Sequence, residues 1–198
     1  MSGDEATARP GPDGRRRCHW ALGGEDLLHY HDTEWGLAIT GDDAMFERIC
    51  LEGFQAGLSW LTVLRKRPAL REVFAGFDPK LVADYGEADV ERLLGDARLI
   101  RSRPKIEAVI RNARAALELP GGLSALVWRH APEHHTAPER VTDVPASTPE
   151  STALAKALKR HGFAFVGPTT AYAAMQAAGV VDDHLSGCFR RARQAGPE

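Results

Sequence analysis

Leu51-Glu52-Gly53-Phe54-Gln55-Ala56-Gly57-Leu58-Ser59-Trp60 is the stretch that decides the fold, because it reads as the corner between two helices. Upstream, Met45, Phe46, Ile49 and Cys50 recur at helical spacing behind Asp42 and Asp43, either of which can cap the run. Downstream, Ser59 stands in an N-cap position ahead of Trp60, Leu61, Val63 and Leu64. Gly53 and Gly57 leave room for a tight turn. One carboxylate, Glu52, falls inside this otherwise apolar stretch. Its desolvation is costly unless a cation or a hydrogen-bond donor meets it. Two readings stand: Glu52 faces water on the back of its helix, or it points inward at something it binds.

Working outward, nearly every periodic segment is helical. Asp78-Pro79 opens a helix with proline at its first position, followed by Leu81 and Val82. Residues 89–94 and 105–119 form two more, the second with Ile106, Val109, Ile110 and Ala113 on one stripe and a stop at Pro120-Gly121-Gly122. A short apolar element covers 123–129, and 130–145 reads as a surface loop whose strand-like part is 141–144. Thr148-Pro149-Glu150 starts a helix that ends at Gly162, and 169–178 forms the last. The fold class is all-α. Residues 18–189 make one domain of two helical lobes, with a disordered Gly/Pro/Arg-rich tail at 1–17 and a flexible one at 190–198.

The chain has 198 residues, 43% hydrophobic, with a formal charge of −2, so bulk charge offers no argument for nucleic acid. Basic residues cluster locally at 65–67, 98–105 and 159–161, and only a shared face makes these a phosphate-binding surface. No apolar run reaches membrane-spanning length and the N-terminus does not read as a signal peptide. Three cysteines, an odd number without a dense framework, point to a reducing cytoplasm.

Three groups of residues can carry chemistry. Cys18 and His31, with twelve residues between them, and His184 and Cys188, at i and i+4, together have the Cys2His2 content of a closed structural zinc site. Neither pair has the short spacing of a zinc knuckle, so spacing alone favours buried thiols and hydrogen-bonded histidines over a metal site. Trp20, Tyr30, Trp35 and Trp60 surround Glu52 in sequence, as plain core or as a slot that stacks a flat ring while Glu52 and Tyr30 read its edge. Gly162 to Thr170 has the form of a helix-hairpin-helix connection, whose amides and following helix N-terminus can hold a phosphate; an ordinary helical corner has the same form.

Tyr30-His31-Asp32-Thr33-Glu34-Trp35-Gly36, residues 51–64, Phe165-Val166-Gly167, Met175-Gln176-Ala177 and Asp183-His184 with Cys188 resemble the 3-methyladenine DNA glycosylase I family, in family order from Cys18 to Cys188. The resemblance implies a helix-hairpin-helix glycosylase fold and one structural zinc ion on Cys18, His31, His184 and Cys188. It implies a pocket in which Glu52, the catalytic residue, and Tyr30 hydrogen-bond the damaged base, Trp60 stacks on it, and Trp20 and Trp35 complete the walls. The implied activity is excision of 3-methyladenine from alkylated double-stranded DNA by a cytoplasmic, monomeric, monofunctional N-glycosyl hydrolase. Gln55 or Leu58, at the Gly57 corner, is expected to fill the gap left by a flipped nucleotide. Gly167 and Thr169 are expected at the phosphate backbone.

Two departures and two competitors complete the reading. Asp182 stands where the family pattern leads us to expect Asn, and reads as a helix cap; Arg98 and Pro104 replace smaller or more flexible residues in the 96–106 turn. The first competitor is a non-catalytic, zinc-stabilised nucleic-acid-binding module on the same fold. The second is a zinc hydrolase, against which four protein ligands leave no open position for water.

Overall fold

The structure, a computed structural model, describes residues 7–191. Its helices are α1 (Glu25–Thr33), α2 (Asp42–Gln55), α3 (Trp60–Val73), α4 (Pro79–Ala83), α5 (Glu87–Gly95), α6 (Arg103–Leu117), α7 (Leu123–Trp128), α8 (Pro149–Arg160) and α9 (Pro168–Ala177). One antiparallel pair of two-residue strands, β1 (Arg9–Pro10) and β2 (Arg16–Arg17), precedes them.

The centre is α2. Residues Met45 and Phe46, then Arg48 to Phe54, are all buried, and the helix packs on α3, α6, α7 and α9. A helix enclosed on most sides has no wet face to which a polar residue can turn. That settles the choice at Glu52: the side chain is 5% exposed and lies inside the protein. Gly53 lies within α2, not in the corner, and faces Phe165; Gly57, at φ +78, makes the turn alone. Ser59 accepts from the Thr62 amide and caps α3. Lys105 Nζ donates to the carbonyls of Phe54 and Ala56, closing the C-terminal end of α2.

Asp78 and Thr148 cap α4 and α8 as their sequences indicate. Asp42 does not cap α2; Gly41 holds that position, and Asp42 instead accepts from the Ser124 amide at 2.8 Å, docking α7. Residues 141–143 form a 3-10 turn, not a strand, because Asp143 folds back onto the Arg140 amide. Residues 7–17 are not a disordered tail. Ala8 is buried, and Arg17, 3% exposed, bonds both Asp13 and Asp32. Paired on both sides, its charge draws the hairpin onto the body of the protein. Arg191, placed in the C-terminal tail, donates to the Ala137 and Pro138 carbonyls and so belongs to the folded body. The rest of the expected tails, 1–6 and 192–198, lies outside the described residues.

Several residues of the basic clusters are paired with acids. Arg65 pairs with Asp26, Arg67 with Glu34, Arg98 with Asp96 and Glu72, and Arg103 with Glu87 and Glu91. Among the described residues no helix is long and apolar enough to cross a membrane.

Candidate functional site

Because α1, the start of α3 and the 3-10 turn His19–Gly23 meet around the C-terminal half of α2, the aromatic residues of the first third of the chain converge in space. They line a cavity of about 410 Å³. Its lining includes Trp20, Tyr30, Trp35, Glu52, Gln55 and Trp60 from the first third of the chain and Gln176, Asp183 and Leu185 from the last. Val141 and Val144 reach in from the long loop. The Tyr30 and Trp60 rings lie 5.2 Å apart and are tilted, while Trp20 meets Trp35 edge-on at 5.1 Å.

Glu52 accepts no hydrogen bond from the described residues. Burial pushes its pKa up to about 7, with the charge of Arg48 opposing. Tyr30 is likewise held well above the ordinary phenol range by burial, with Arg48 opposing and Glu52 adding to the rise. The Tyr30 oxygen accepts from Arg48 Nη1 at 2.8 Å. The indole N–H of Trp60 is buried without a partner. The cavity thus holds an ionisable carboxylate and a phenol between aromatic walls, a set suited to a flat, electron-poor heterocycle.

Cys18, His31, His184 and Cys188 are all buried and their donor atoms lie within 4.8 Å of one another, a cluster that can hold a metal ion. His184 and Cys188 do not share a helix face. Residues 181–190 are irregular, with Gly187 at φ +78, and the turn itself brings the two together at 3.5 Å. Cys188 Sγ lies 3.3 Å from His31 Nε2, and Cys18 Sγ lies 3.8 Å from His184 Nδ1. A tetrahedral ion with bonds of about 2.3 Å to sulfur and about 2.0 Å to nitrogen needs sulfur–nitrogen edges of about 3.5 Å, so the donors fit. His31 Nδ1 faces Asp32 at 2.9 Å, and Asp32 is gripped by Arg17. Burial raises the Asp32 pKa, but the bonds from Arg17 and His31 outweigh it and hold the carboxylate below its ordinary range. An ionised Asp32 fixes the His31 proton on Nδ1 and turns the Nε2 lone pair to the cluster. Gly36, at φ +79, leaves space for the His184 ring: a Cβ there lies 2.7 Å from Nε2.

Of the residues expected at nucleic acid, Gln55 lines the cavity rim and Leu58, 41% exposed, stands beside Gly57. Gly167 is the N-cap of α9 and Thr169 is exposed in its first turn. The α8–α9 connection lies against α2 near Gly53 and is pinned by Asn112, which bonds both the amide and the carbonyl of Ala164. Asp182 caps no helix; its carboxylate accepts from the His184 amide at 3.1 Å.

Sequence reasoning missed three residues. Asp183 is buried on the cavity wall, accepting from Tyr172 at 2.7 Å and Gln176 at 2.6 Å, and its second oxygen lies 3.1 Å from His135 Nε2. His135 had only the look of an exposed loop residue. Arg48, beneath Tyr30 and Trp60, carried one usable signal: a basic residue inside a run of core-facing positions.

A family model described as methyladenine glycosylase matches residues 20–191. The chain is 48% identical over 178 residues to DNA-3-methyladenine glycosylase 1 of Escherichia coli, covering 87% of this chain and 95% of that one. A crystal structure of a 3-methyladenine DNA glycosylase I has TM-score 0.85 at 47% identity, covering 89% of this chain and 100% of that one. A structure addressing 3-methyladenine recognition by 3-methyladenine DNA glycosylase I from Staphylococcus aureus has TM-score 0.83 at 33% identity, covering 88% of this chain and 97% of that one.

Proposed function

The chain belongs to the methyladenine glycosylase family, and from that membership we infer that it is a DNA-repair enzyme that hydrolyses the N-glycosidic bond of 3-methyladenine in DNA. The observation that carries the inference is the family match over residues 20–191, which spans the whole aromatic cavity around Glu52. A non-catalytic binding module is not favoured, since the relatives are named as glycosylases.

The chemistry asked of the site is modest. N3-methylation makes the base cationic and a good leaving group before it is bound. The bond between the sugar C1′ and N9 breaks with its electrons going to the base; water then bonds to C1′ and loses a proton, leaving an abasic sugar. The enzyme must extrude the nucleotide, hold the base and favour the charge distribution of bond breaking. Ionised Glu52 attracts the cationic base and accepts from its exocyclic amine, Tyr30 bonds the ring edge, and Trp60 stacks on the face. Trp20 and Trp35 close the slot. Among the described residues no lysine lines the cavity, so they offer no nucleophile there for a Schiff-base lyase step.

On the same reading, the substrate is double-stranded, and Gln55 or Leu58 fills the space of the extruded nucleotide. The α8–α9 connection acts as a helix-hairpin-helix element, offering the Gly167–Thr169 amides to a phosphate. The metal is zinc, held by Cys18, His31, His184 and Cys188. Four protein donors make it a structural ion that stiffens the junction of the chain ends. The enzyme works as a monomer in the cytoplasm.

The test is base release from methylated duplex DNA, with bases resolved chromatographically, for wild type beside Glu52→Gln. Release of 3-methyladenine by wild type and a loss of at least 100-fold in the variant is the expected result. No release by folded, zinc-loaded wild type refutes the reading.

A further inference from the structure

Arg48 lies one helical turn before Glu52 on α2 and is 6% exposed. Residues at i and i+4 are neighbours on a helix, and an Arg and a Glu so placed ordinarily pair. Here they do not, because the guanidinium is drawn the other way. Nη1 donates to the Tyr30 oxygen at 2.8 Å, and Nη2 lies 3.7 Å from Glu34, a carboxylate that Arg67 holds with two further bonds. The guanidinium carbon sits 5.2 Å from the Tyr30 ring centroid and 5.7 Å from that of Trp60. Its Nε is buried without a partner among the described residues. A buried cation that leaves a donor unpaired is costly, and what it contacts is the aromatic wall of the cavity.

The consequence is a direction for one proton. A guanidinium only donates, so the Tyr30 oxygen must accept from it. The phenolic proton then takes the remaining in-plane direction, away from Arg48. We propose that Arg48 is a positioning residue that sets the hydrogen-bond polarity of the cavity, making Tyr30 a donor beside the acceptor Glu52, and that this polarity selects adenine-type over guanine-type alkylated bases. The proposal rests on the base-binding reading given above. Adenine presents an amine donor next to a ring-nitrogen acceptor, the complement of Glu52 and Tyr30. Guanine presents a carbonyl oxygen where adenine has its amine, and that oxygen meets the Glu52 carboxylate. Without Arg48 the phenol is free to rotate, to bond Glu52 itself or to accept from a ligand, and the distinction weakens.

Arg48 also acts on the charge of Glu52, since it opposes the rise that burial imposes. The other titratable groups around Glu52 are Tyr30 on α1 and, across the cavity, Asp183, itself held by Tyr172, Gln176 and His135. Glu34 and Arg67 stand behind Tyr30 as a pair. Removing the Arg48 charge therefore raises the Glu52 pKa further, and base release needs a higher pH.

The experiment compares wild type, Arg48→Met and Arg48→Lys on methylated duplex DNA, measuring released 3-methyladenine and 3-methylguanine between about pH 6 and 9. Thermal melting and bound zinc report folding. In Arg48→Met the ratio of the two bases is expected to fall about tenfold and the acid limb to move up by about one pH unit. Arg48→Lys keeps a point charge but not the fork that reaches Tyr30, so its acid limb stays near wild type while its ratio falls. A folded Arg48→Met that loses both activities in equal proportion, or keeps the wild-type ratio and limb, overturns the proposal. If Arg48→Met does not fold, a wild-type base ratio in Arg48→Lys overturns it. Failure of wild type to release either base instead removes the glycosylase function, a distinct outcome.

Discussion

Burial lifts the Glu52 pKa from the ordinary carboxylate range, about 4.3, to about 7. Between those values the folded protein holds a proton that the unfolded chain has released, so stability falls as pH rises through the window. The full effect is on the order of 3 kcal/mol, reached only above the folded pKa. Glu52→Gln has no charge to desolvate. It is expected to match wild type near pH 4 and to melt several degrees higher near pH 8, while base release is lost. Thermal melts of both proteins across pH read this directly, and a melting difference that does not change with pH removes the buried-carboxylate account. The same titration predicts that base release declines as pH drops below about 7, because a protonated Glu52 no longer attracts a cation.

At the scale of elements, the segment after α1 is docked by backbone bonds as well as by the Trp128 indole, which donates to the Ile39 carbonyl at 2.7 Å. The Gly36 amide donates to the Ala177 carbonyl and the Ile39 amide to that of Ala178. The close approach is possible because Gly179 has no Cβ: one built there lies 2.7 Å from the Gly36 carbonyl oxygen and 2.9 Å from the Ala38 amide nitrogen. Gly179 also sits at φ +69, where other residues are strained. Gly179→Ala should cost at least about 2 kcal/mol, read from the urea midpoint, and should loosen Trp35 and the His184 turn with it. By contrast Ser59→Ala removes one capping bond on the exposed start of α3 and should cost about 1 kcal/mol. A Gly179→Ala protein as stable as wild type contradicts the close-contact argument.

On the scale of the molecule, the Cys/His cluster that can hold a metal joins residues 18–31 to residues 184–188. Its donors are interleaved with the cavity wall: Tyr30 precedes His31, and Asp183 and Leu185 flank His184. Trp35 packs against both histidine rings, at 6.2 Å and 4.5 Å. The four-donor cluster, the hairpin and the cavity therefore form one mechanical unit. Chelation should lower the melting temperature and weaken 3-methyladenine binding together, while hydrogen exchange speeds up in 8–35 and 180–191 and stays slow in α2. Unchanged exchange in those two segments on metal removal contradicts the structural role. Exposed ion pairs elsewhere, such as Arg65–Asp26, contribute little each.

Most helix spans were legible in the sequence because their signals are local: caps at Ser59, Asp78 and Thr148, stops at Gly121 and Gly162, and apolar stripes between them; α1, which has no side-chain cap, was not. The all-α class followed from the same patterns, whereas the family likeness, and with it the choice of Glu52, Tyr30 and Trp60, rested on short motifs such as 30–36 and 51–60. What the sequence left open was direction and pairing. Whether Glu52 faces water or the interior depends on how many helices surround α2, a sum of contacts far apart in the chain. The second half of the metal cluster comes from an irregular turn, where no periodicity marks which side chains converge. Asp183 and Arg48 sit at the cavity because long-range partners, Tyr172 and Tyr30, hold them there. Residues 7–17 carry a tail-like composition, yet a single arginine between two carboxylates folds them onto the body. Local propensity is written residue by residue, whereas the desolvation of a charge and the partner that offsets it are properties of the packed whole.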